Sequence, residues 1–527
     1  MNLQYFSIND WLYPDSELTS KTNNVILHSA RGADACFQLL TDVTADTNTF
    51  CDFTCDFNNA GIKTTVLELG AVNIPLNSHA EMLTTSDYES VKHFVTRKAP
   101  FDVFDITYPI VDNKLHGGRA AFLVRIDVDK DVAPSTYNGT LTIKVGENES
   151  SVNVELNVYK AVVKHPKESM YSMVNWIIPD SLAFMHKVER GSEEYYNMFA
   201  KYLAEQVDMR NTHFQLPSLL PIKDENGKII DFDTTENERI GKICLDAGFR
   251  YIFGGFVTRF KYWRESEMYL VWDKETCSEQ YEGIRQLNIY FKRIKEMIVR
   301  NGWQDVYMQG LVDEPQVPSS MTYRALCGFF RKAVPGIKII DPIETPDIHA
   351  SCDIHVVKQA CYDKDKEAYD KLRETSDELW VYTCGFPTGY WMNRANDLPL
   401  AATRLPTWMS VRYNMKGFLH WGYNAYLDCM DSMKDTMYPC TYKGEDRFYP
   451  AGNHAIIYGD KDNFYESVRA HVQRISAVDA ELLMMLKEKD EKLCYSLIDT
   501  VCKNFNEYTN DPATIDNAHK QLLQYLN

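Results

Sequence analysis

Val306-Tyr307-Met308-Gln309-Gly310-Leu311-Val312 is a short apolar run that ends on Asp313-Glu314-Pro315, between two amphipathic segments at 279–299 and 323–333. A short buried run followed by a helix of that length is the repeating unit of a parallel sheet. The same unit recurs on either side. Apolar runs at 171–178, 213–216, 251–256, 337–343, 354–357, 379–384 and 418–421 bring the number to eight, which is what a (β/α)8 TIM barrel needs. Helical periodicity at 193–209 and 400–413 fills further gaps, and the 279–299 segment stops at Asn301-Gly302, a C-terminal stop signal. The runner-up is an open doubly wound sheet, but no glycine-rich phosphate loop follows the first run.

Upstream of the barrel the rhythm differs. Residues 1–160 lack long helical periodicity. Gly139-Thr140-Leu141-Thr142-Ile143-Lys144-Val145 and Ser151 to Tyr159 alternate apolar with polar residues around a turn at Gly146-Glu147-Asn148-Glu149. That is a hairpin of half-buried strands, and with a further strand at 120–128 it predicts a β-sandwich domain. A linker containing His165-Pro166 leads into a catalytic barrel over 168–460. The segment 461–527 reads as helical to its end, with Val468, Val472, Ile475, Val478, Leu482 and Met485 on one face. The expectation is an α/β multidomain chain with a helical cap packed on the barrel.

Composition narrows the function. With 56 Lys and Arg against 74 Asp and Glu, the 527-residue chain carries a formal charge of −18, which disfavours nucleic acid and anionic membrane surfaces as partners. No run of about eighteen apolar residues and no basic-then-apolar leader is present, and the 13 Cys are scattered, so a cytoplasmic chain with reduced thiols is expected. Cys51 and Cys55 lack the further ligands a metal site requires, while Cys429 and Cys440 lie near enough in sequence to meet across a loop. Aromatic residues make up 13% of the chain, which fits large cores or a site that stacks sugar rings.

In a barrel, reactive groups lie at the C-terminal strand ends, which places Asp313 and Glu314 on the rim. Two carboxyls there suit glycoside hydrolysis, in which one protonates the leaving oxygen while another group stabilises positive charge at the anomeric carbon. The plainer reading is a solvated loop carboxylate beside a helix-capping one. Retaining and inverting enzymes ordinarily hold their two carboxyls about 5–9.5 Å apart across the sugar. Adjacent carboxyls instead fit hydrolysis assisted by the substrate's own 2-acetamido group. The other rim candidates are Asn175, Trp176, His213, Tyr382, Trp391, Asn393, Arg394, Trp421, Tyr423 and Asn424, residue types that bind sugars, each of which also serves in ordinary cores.

Asp313-Glu314-Pro315, the stretch from Tyr382 to Arg394, Leu398-Pro399-Leu400 with Thr403-Arg404-Leu405 and Trp408, and Gly417-Phe418-Leu419-His420-Trp421-Gly422-Tyr423-Asn424 together resemble glycoside hydrolase family 123. The resemblance implies a β-N-acetylgalactosaminidase with a sandwich and a barrel. It implies that Asp313 orients the 2-acetamido group, that Glu314 is the general acid and later the base, and that Trp421, Tyr423, Trp391 and Tyr382 line the pocket. The substrate would be a small oligosaccharide or glycoconjugate bearing terminal β-linked N-acetylgalactosamine, with no metal and no cofactor. One departure stands out: the family pattern has Gly-Asp before an apolar run ending Tyr-Pro-Gly, and this chain has Gly452-Asn453 before Tyr458-Gly459. Two alternatives stay open. One is a β-glycosidase of the same scaffold acting on N-acetylglucosamine or a plain hexose, and the other is a catalytically silent carbohydrate-binding protein.

Overall fold

The computed structural model describes residues 1–81, 83–262, 265–376, 378–442 and 444–527. At its centre lie eight parallel strands: β1 (Ser172–Asn175), β2 (His213–Gln215), β3 (Tyr251–Gly254), β4 (Tyr307–Gln309), β5 (Lys338–Ile343), β6 (Ile354–Lys358), β7 (Glu378–Thr383) and β8 (Gly417–His420). They are paired in the order β1-β8-β7-β6-β5-β4-β3-β2. Between β1 and β2 the Thr212 N–H donates to the Met173 carbonyl at 2.9 Å, which brings the sheet close to closure. Parallel strands covered on both faces must be apolar throughout, and that is why all eight were readable as runs. The largest difference falls on β4, read as 306–312. Its ladder ends at Gln309, after which the Leu311 and Val312 N–H groups turn to the Asp341 carboxylate at 2.7 and 3.3 Å.

Alternation along each strand sorts side chains to two sides. Val174, Phe253, Met308, Ile340, Ile354, Val356, Trp380 and Leu419 fill the barrel. Met173, Ile252, Tyr307, Ile339, Val357, Val381 and Phe418 face the surrounding helices. Among those helices, α1 (Glu193–Asp208) is capped by Ser192, whose side chain accepts from the Tyr195 N–H. The next, α2 (Tyr281–Asn301), ends on Gly302 at φ +68°, the left-handed stop that Asn301-Gly302 announced. A third, α3 (Ser320–Ala333), follows β4.

The N-terminal region is a sandwich of a five-stranded and a four-stranded sheet. Leu39, Val66, Phe122 and Val124 of the larger meet Leu141, Ile143, Val154 and Leu156 of the smaller in one core. The expected hairpin is present as Ser135–Val145 and Asn148–Val162. Its turn is tighter than read, since Val145 pairs with Asn148 and Gly146 takes φ +60°, the conformation a two-residue turn demands.

The long C-terminal helix α4 (Val468–Lys489) departs from the expected one-sided cap. It is buried on every side from Val468 to Leu483 because it is wedged between sandwich and barrel. Its polar residues find partners in both directions: Arg469 with Asp105 at 2.8 Å, Arg474 with Asp34 at 3.1 Å, and Asp479 with Arg404 at 2.7 Å. Beyond it, a small hairpin (Cys502–Asn504 with Glu507–Tyr508) interrupts the helical pattern read for the tail. All thirteen cysteines are free thiols, Cys429 and Cys440 included. Among the described residues no helix is long and apolar enough to cross a membrane.

Candidate active site

The exit of β4 is fastened on both flanks. Val257 and Thr258 donate backbone N–H groups to the Leu311 carbonyl at 3.1 and 3.0 Å, and Glu314 donates its own N–H to the Pro342 carbonyl at 3.1 Å. Asp341, which holds the Leu311 and Val312 amides, is itself held by the Tyr323 hydroxyl of α3 at 2.8 Å. Glu314 then adopts φ +49°, a left-handed backbone that a residue with a Cβ rarely takes. Strain of this kind persists where the surroundings fix it and collects at functional sites. Here it accompanies two consecutive carboxyls at the barrel mouth.

Glu314 is buried, and among the described residues both groups that bond its carboxyl fall on Oε1. These are the Tyr382 hydroxyl, in close contact, and the Lys358 ammonium at 3.3 Å. Lys358 also makes a close ion pair with Glu344, whose other oxygen accepts from Gln316. Two carboxyls thus share one lysine, with Asp313 adjacent to the first. Burial and the adjacent charge of Glu314 raise Asp313 well above the usual carboxylate range. Two like charges this close do not both ionise readily, so the Asp313–Glu314 pair retains a proton at pH values where ordinary carboxyls have lost theirs. Glu344 is raised as well, by burial and by Glu314, against the pull of Lys358. Burial opposes the charge on Lys358, but Cys384, Glu314 and Glu344 outweigh it and keep its ammonium above the ordinary range.

Aromatic residues enclose the acids. The Trp176 and Phe256 rings pack nearly at right angles with centroids 5.6 Å apart, and the Trp176 indole N–H is buried with no partner among the described residues. Trp421 packs against Tyr449 at 5.3 Å and Tyr438 at 5.8 Å. The Tyr449 ring lies over the Gly385 backbone so closely that a Cβ there would stand 1.9 Å from it, which makes glycine obligatory. The departure at Asn453 has a physical reason. Its Nδ2 donates to the Cys384 carbonyl at 3.1 Å and to Asn393 Oδ1 at 2.9 Å, while its Oδ1 accepts from the Trp421 indole at 3.2 Å. An ionised Asp would accept from Trp421 but has no hydrogen to donate to the other two.

Strand alternation divides the residues read from the sequence. Trp176, Tyr382 and Trp421 share the parity of the barrel-filling side chains and stand at the mouth with Asp313 and Glu314. Asn175 points the other way, between barrel and helices, where its amide donates to Asn211 at 3.0 Å and its Oδ1 accepts from Arg394 at 2.8 Å. Arg394 is fully buried there and also reaches Gln473 of α4 at 3.2 Å. Tyr423 belongs to the core beside Tyr202 of α1. Asn393 braces the loop after β7 through the Cys384 and Pro387 carbonyls at 2.8 and 2.9 Å. Asn424 fastens the chain after β1 by accepting the Ile178 N–H at 2.8 Å. Trp391 packs at the edge of the main core. His213 lies at the opposite, N-terminal end of the barrel, against Tyr251 and Trp380, and burial pushes it down to about 3. The sequence reading missed Lys358, Glu344, Tyr438 and Tyr449, and singled out Asn453 only as a departure from the family pattern. Parity would have found the first two, since Ile354, Val356 and Lys358 share a face, as do Ile340, Pro342 and Glu344.

Among the described residues one acidic group away from the mouth has ligand-like spacing, with Glu205, Asp208 and Glu466 oxygens within 4.8 Å of one another. Arg474 already pairs with Asp208 at 3.1 Å and Glu466 at 3.5 Å, and His471 stands 3.3 Å from Glu466. The group is part of the ion-pair network between sandwich and barrel.

Comparison with known proteins accords with this architecture. The chain is similar over its full length to a family 123 glycoside hydrolase from Clostridium perfringens, described in connection with glycolipid glycan hydrolysis, at 15% identity and a TM-score of 0.75, covering 100% of this chain and 98% of that one. A β-D-glucuronidase from Dictyoglomus thermophilum aligns at 8% identity and a TM-score of 0.36 over 82% of this chain and 69% of its own. A search of curated protein sequences gave no match. The model of the glycoside hydrolase 123 catalytic domain matches residues 176–486, which include the acidic pair, the mouth and most of α4. The chain is therefore a member of glycoside hydrolase family 123.

Proposed function

We propose that this glycoside hydrolase removes terminal β-linked N-acetylgalactosamine by a retaining, substrate-assisted mechanism, with Asp313 and Glu314 as the catalytic residues. The observation that carries the reading is the consecutive acidic pair at the strained β4 exit, where burial and like charge retain a proton. The substrate's amide N–H donates to Asp313, which favours the ionised form of that carboxyl and leaves the shared proton to Glu314. Glu314 transfers it to the glycosidic oxygen as the bond to C1 breaks, and the acetamido oxygen bonds to C1 to form an oxazolinium ring whose N–H stays hydrogen-bonded to the Asp313 carboxylate. The Glu314 carboxylate then takes a proton from water as that water attacks C1 and the ring opens. Two displacements at C1 give net retention.

Glu344 is the other carboxyl near enough to be considered as a nucleophile, as in a two-carboxylate retaining enzyme. Both of its oxygens are engaged, by Lys358 and by Gln316, which disfavours attack on carbon. Trp176 and the Trp421–Tyr438–Tyr449 cluster supply flat apolar faces for the sugar ring, and neither of them demands a charged substrate. A panel of nitrophenyl β-glycosides tests the reading. N-acetylgalactosaminide turnover is expected to exceed that of the N-acetylglucosaminide and of the plain galactoside. Faster turnover of the galactoside, which has no acetamido oxygen, would overturn it.

A further inference from the structure

We infer that Lys358 and Glu344 form a positioning pair that sets the proton affinity and orientation of Glu314, with Glu344 acting as a counterweight that keeps the lysine from neutralising the acid. This rests on the proposed role of Glu314. Lys358 ends β6 and Glu344 follows β5, so the two reach the mouth from neighbouring strands. The ammonium is in close contact with Glu344 and 3.3 Å from Glu314 Oε1, an unequal sharing in which the nearer carboxylate takes most of the charge.

The inequality matters to an acid. A lysine bound wholly to Glu314 would hold it as a carboxylate, with no proton to give the leaving group. With no lysine, no cation would stand against the clustered carboxyls at the mouth. Glu344 draws the ammonium away from Glu314, and Gln316 fixes Glu344 by donating to its other oxygen. Oε1 of Glu314 is also occupied by the Tyr382 hydroxyl from β7. This leaves Oε2 to face the glycosidic oxygen. Among the described residues, the titratable and charged groups around Glu314 are Asp313 on its own segment, Glu344 after β5, Lys358 of β6, Cys361 just after β6, Tyr382 and Cys384 from β7 and the loop that follows it, and Tyr449 across the mouth.

The alkaline limb of kcat/KM reports loss of the proton from the acid. Glu344→Gln removes a negative neighbour and releases Lys358 onto Glu314, so both effects lower the limb, by about one to two pH units. Lys358→Met removes the cation and raises the limb by a similar amount. The double variant returns it towards the wild-type position, because a neutral pair has replaced a neutral pair. Substrates with poor leaving groups should show larger rate losses in both single variants than a dinitrophenyl glycoside, whose departure needs no proton.

The experiment is the pH profile of wild type, the two single variants and the double variant on a β-glycoside of the preferred sugar with a poor leaving group, whose departure needs the proton. Limbs moving in opposite directions support the inference; limbs that stay fixed or move together overturn it. If Lys358→Met does not fold, Glu344→Gln alone decides, and a limb that stays or rises is the contrary result. The control is Glu314→Gln. Full activity in that variant on a poor leaving group sinks the proposed catalytic role itself. Inactivity there combined with unmoved limbs sinks only the role of the pair.

Discussion

Two regions of this molecule bury several charges, and they do so in opposite ways. Along α4, each buried charge meets its opposite: Arg469 with Asp105, Arg474 with Asp34, and Asp479 with Arg404. Burial raises Asp479, but Arg404 and His519 outweigh it and leave the carboxyl below its ordinary range. At the barrel mouth Glu314 and Glu344 share one lysine, and Asp313 beside them is pushed above that range. The first arrangement joins sandwich to barrel, since a buried pair broken on one side leaves an uncompensated charge. The second is poised to gain from a proton or a hydrogen-bond donor that arrives with substrate. Charge balance separates them where burial alone does not.

Crossed substitutions would break this comparison if it is wrong. Arg469→Met strands Asp105 and is expected to cost about 3–5 kcal/mol of stability in urea unfolding while leaving the kcat of the folded fraction near wild type. Glu314→Gln is expected to do the reverse, with roughly 10²–10⁴-fold loss of kcat/KM on a poor leaving group and an unfolding midpoint close to wild type. A large stability loss in the second, or a large loss of kcat in the first, would erase the distinction. A smaller effect sharpens it. Asp313 is raised on folding, so its contribution to stability is present below the unfolded value of about 3.9 and lost as pH rises through the folded value. Asp313→Asn should therefore raise the urea midpoint at pH 7 but not at pH 4, while lowering activity. A midpoint that falls at pH 7 would mean that the pair is held for stability.

Much of this was legible in the sequence. Eight doubly covered strands must be apolar, so they stood out as runs, and the acids at the end of the fourth followed from where barrel loops converge. The sandwich hairpin was legible because its strands alternate. Which way a rim residue points was not taken from the runs. Asn175 and Trp176 are neighbours in sequence, yet one turns to the helices and the other to the mouth. Lys358 and Glu344 each follow an apolar run and look like ordinary solvated strand ends until parity is applied. The polar face of α4 looked solvated for a different reason: its partners, Asp34 and Asp105, lie more than 360 residues away in the sandwich, and no local pattern reveals them.

The central claim is that the substrate's own acetamido oxygen is the nucleophile. Its most direct test is kcat/KM for nitrophenyl galactosaminides whose N-acetyl group carries none, one, two or three fluorines. Participation predicts a steep fall with each fluorine, because the amide oxygen becomes a poorer nucleophile while the leaving group stays the same. Equal rates across the four substrates would contradict the account.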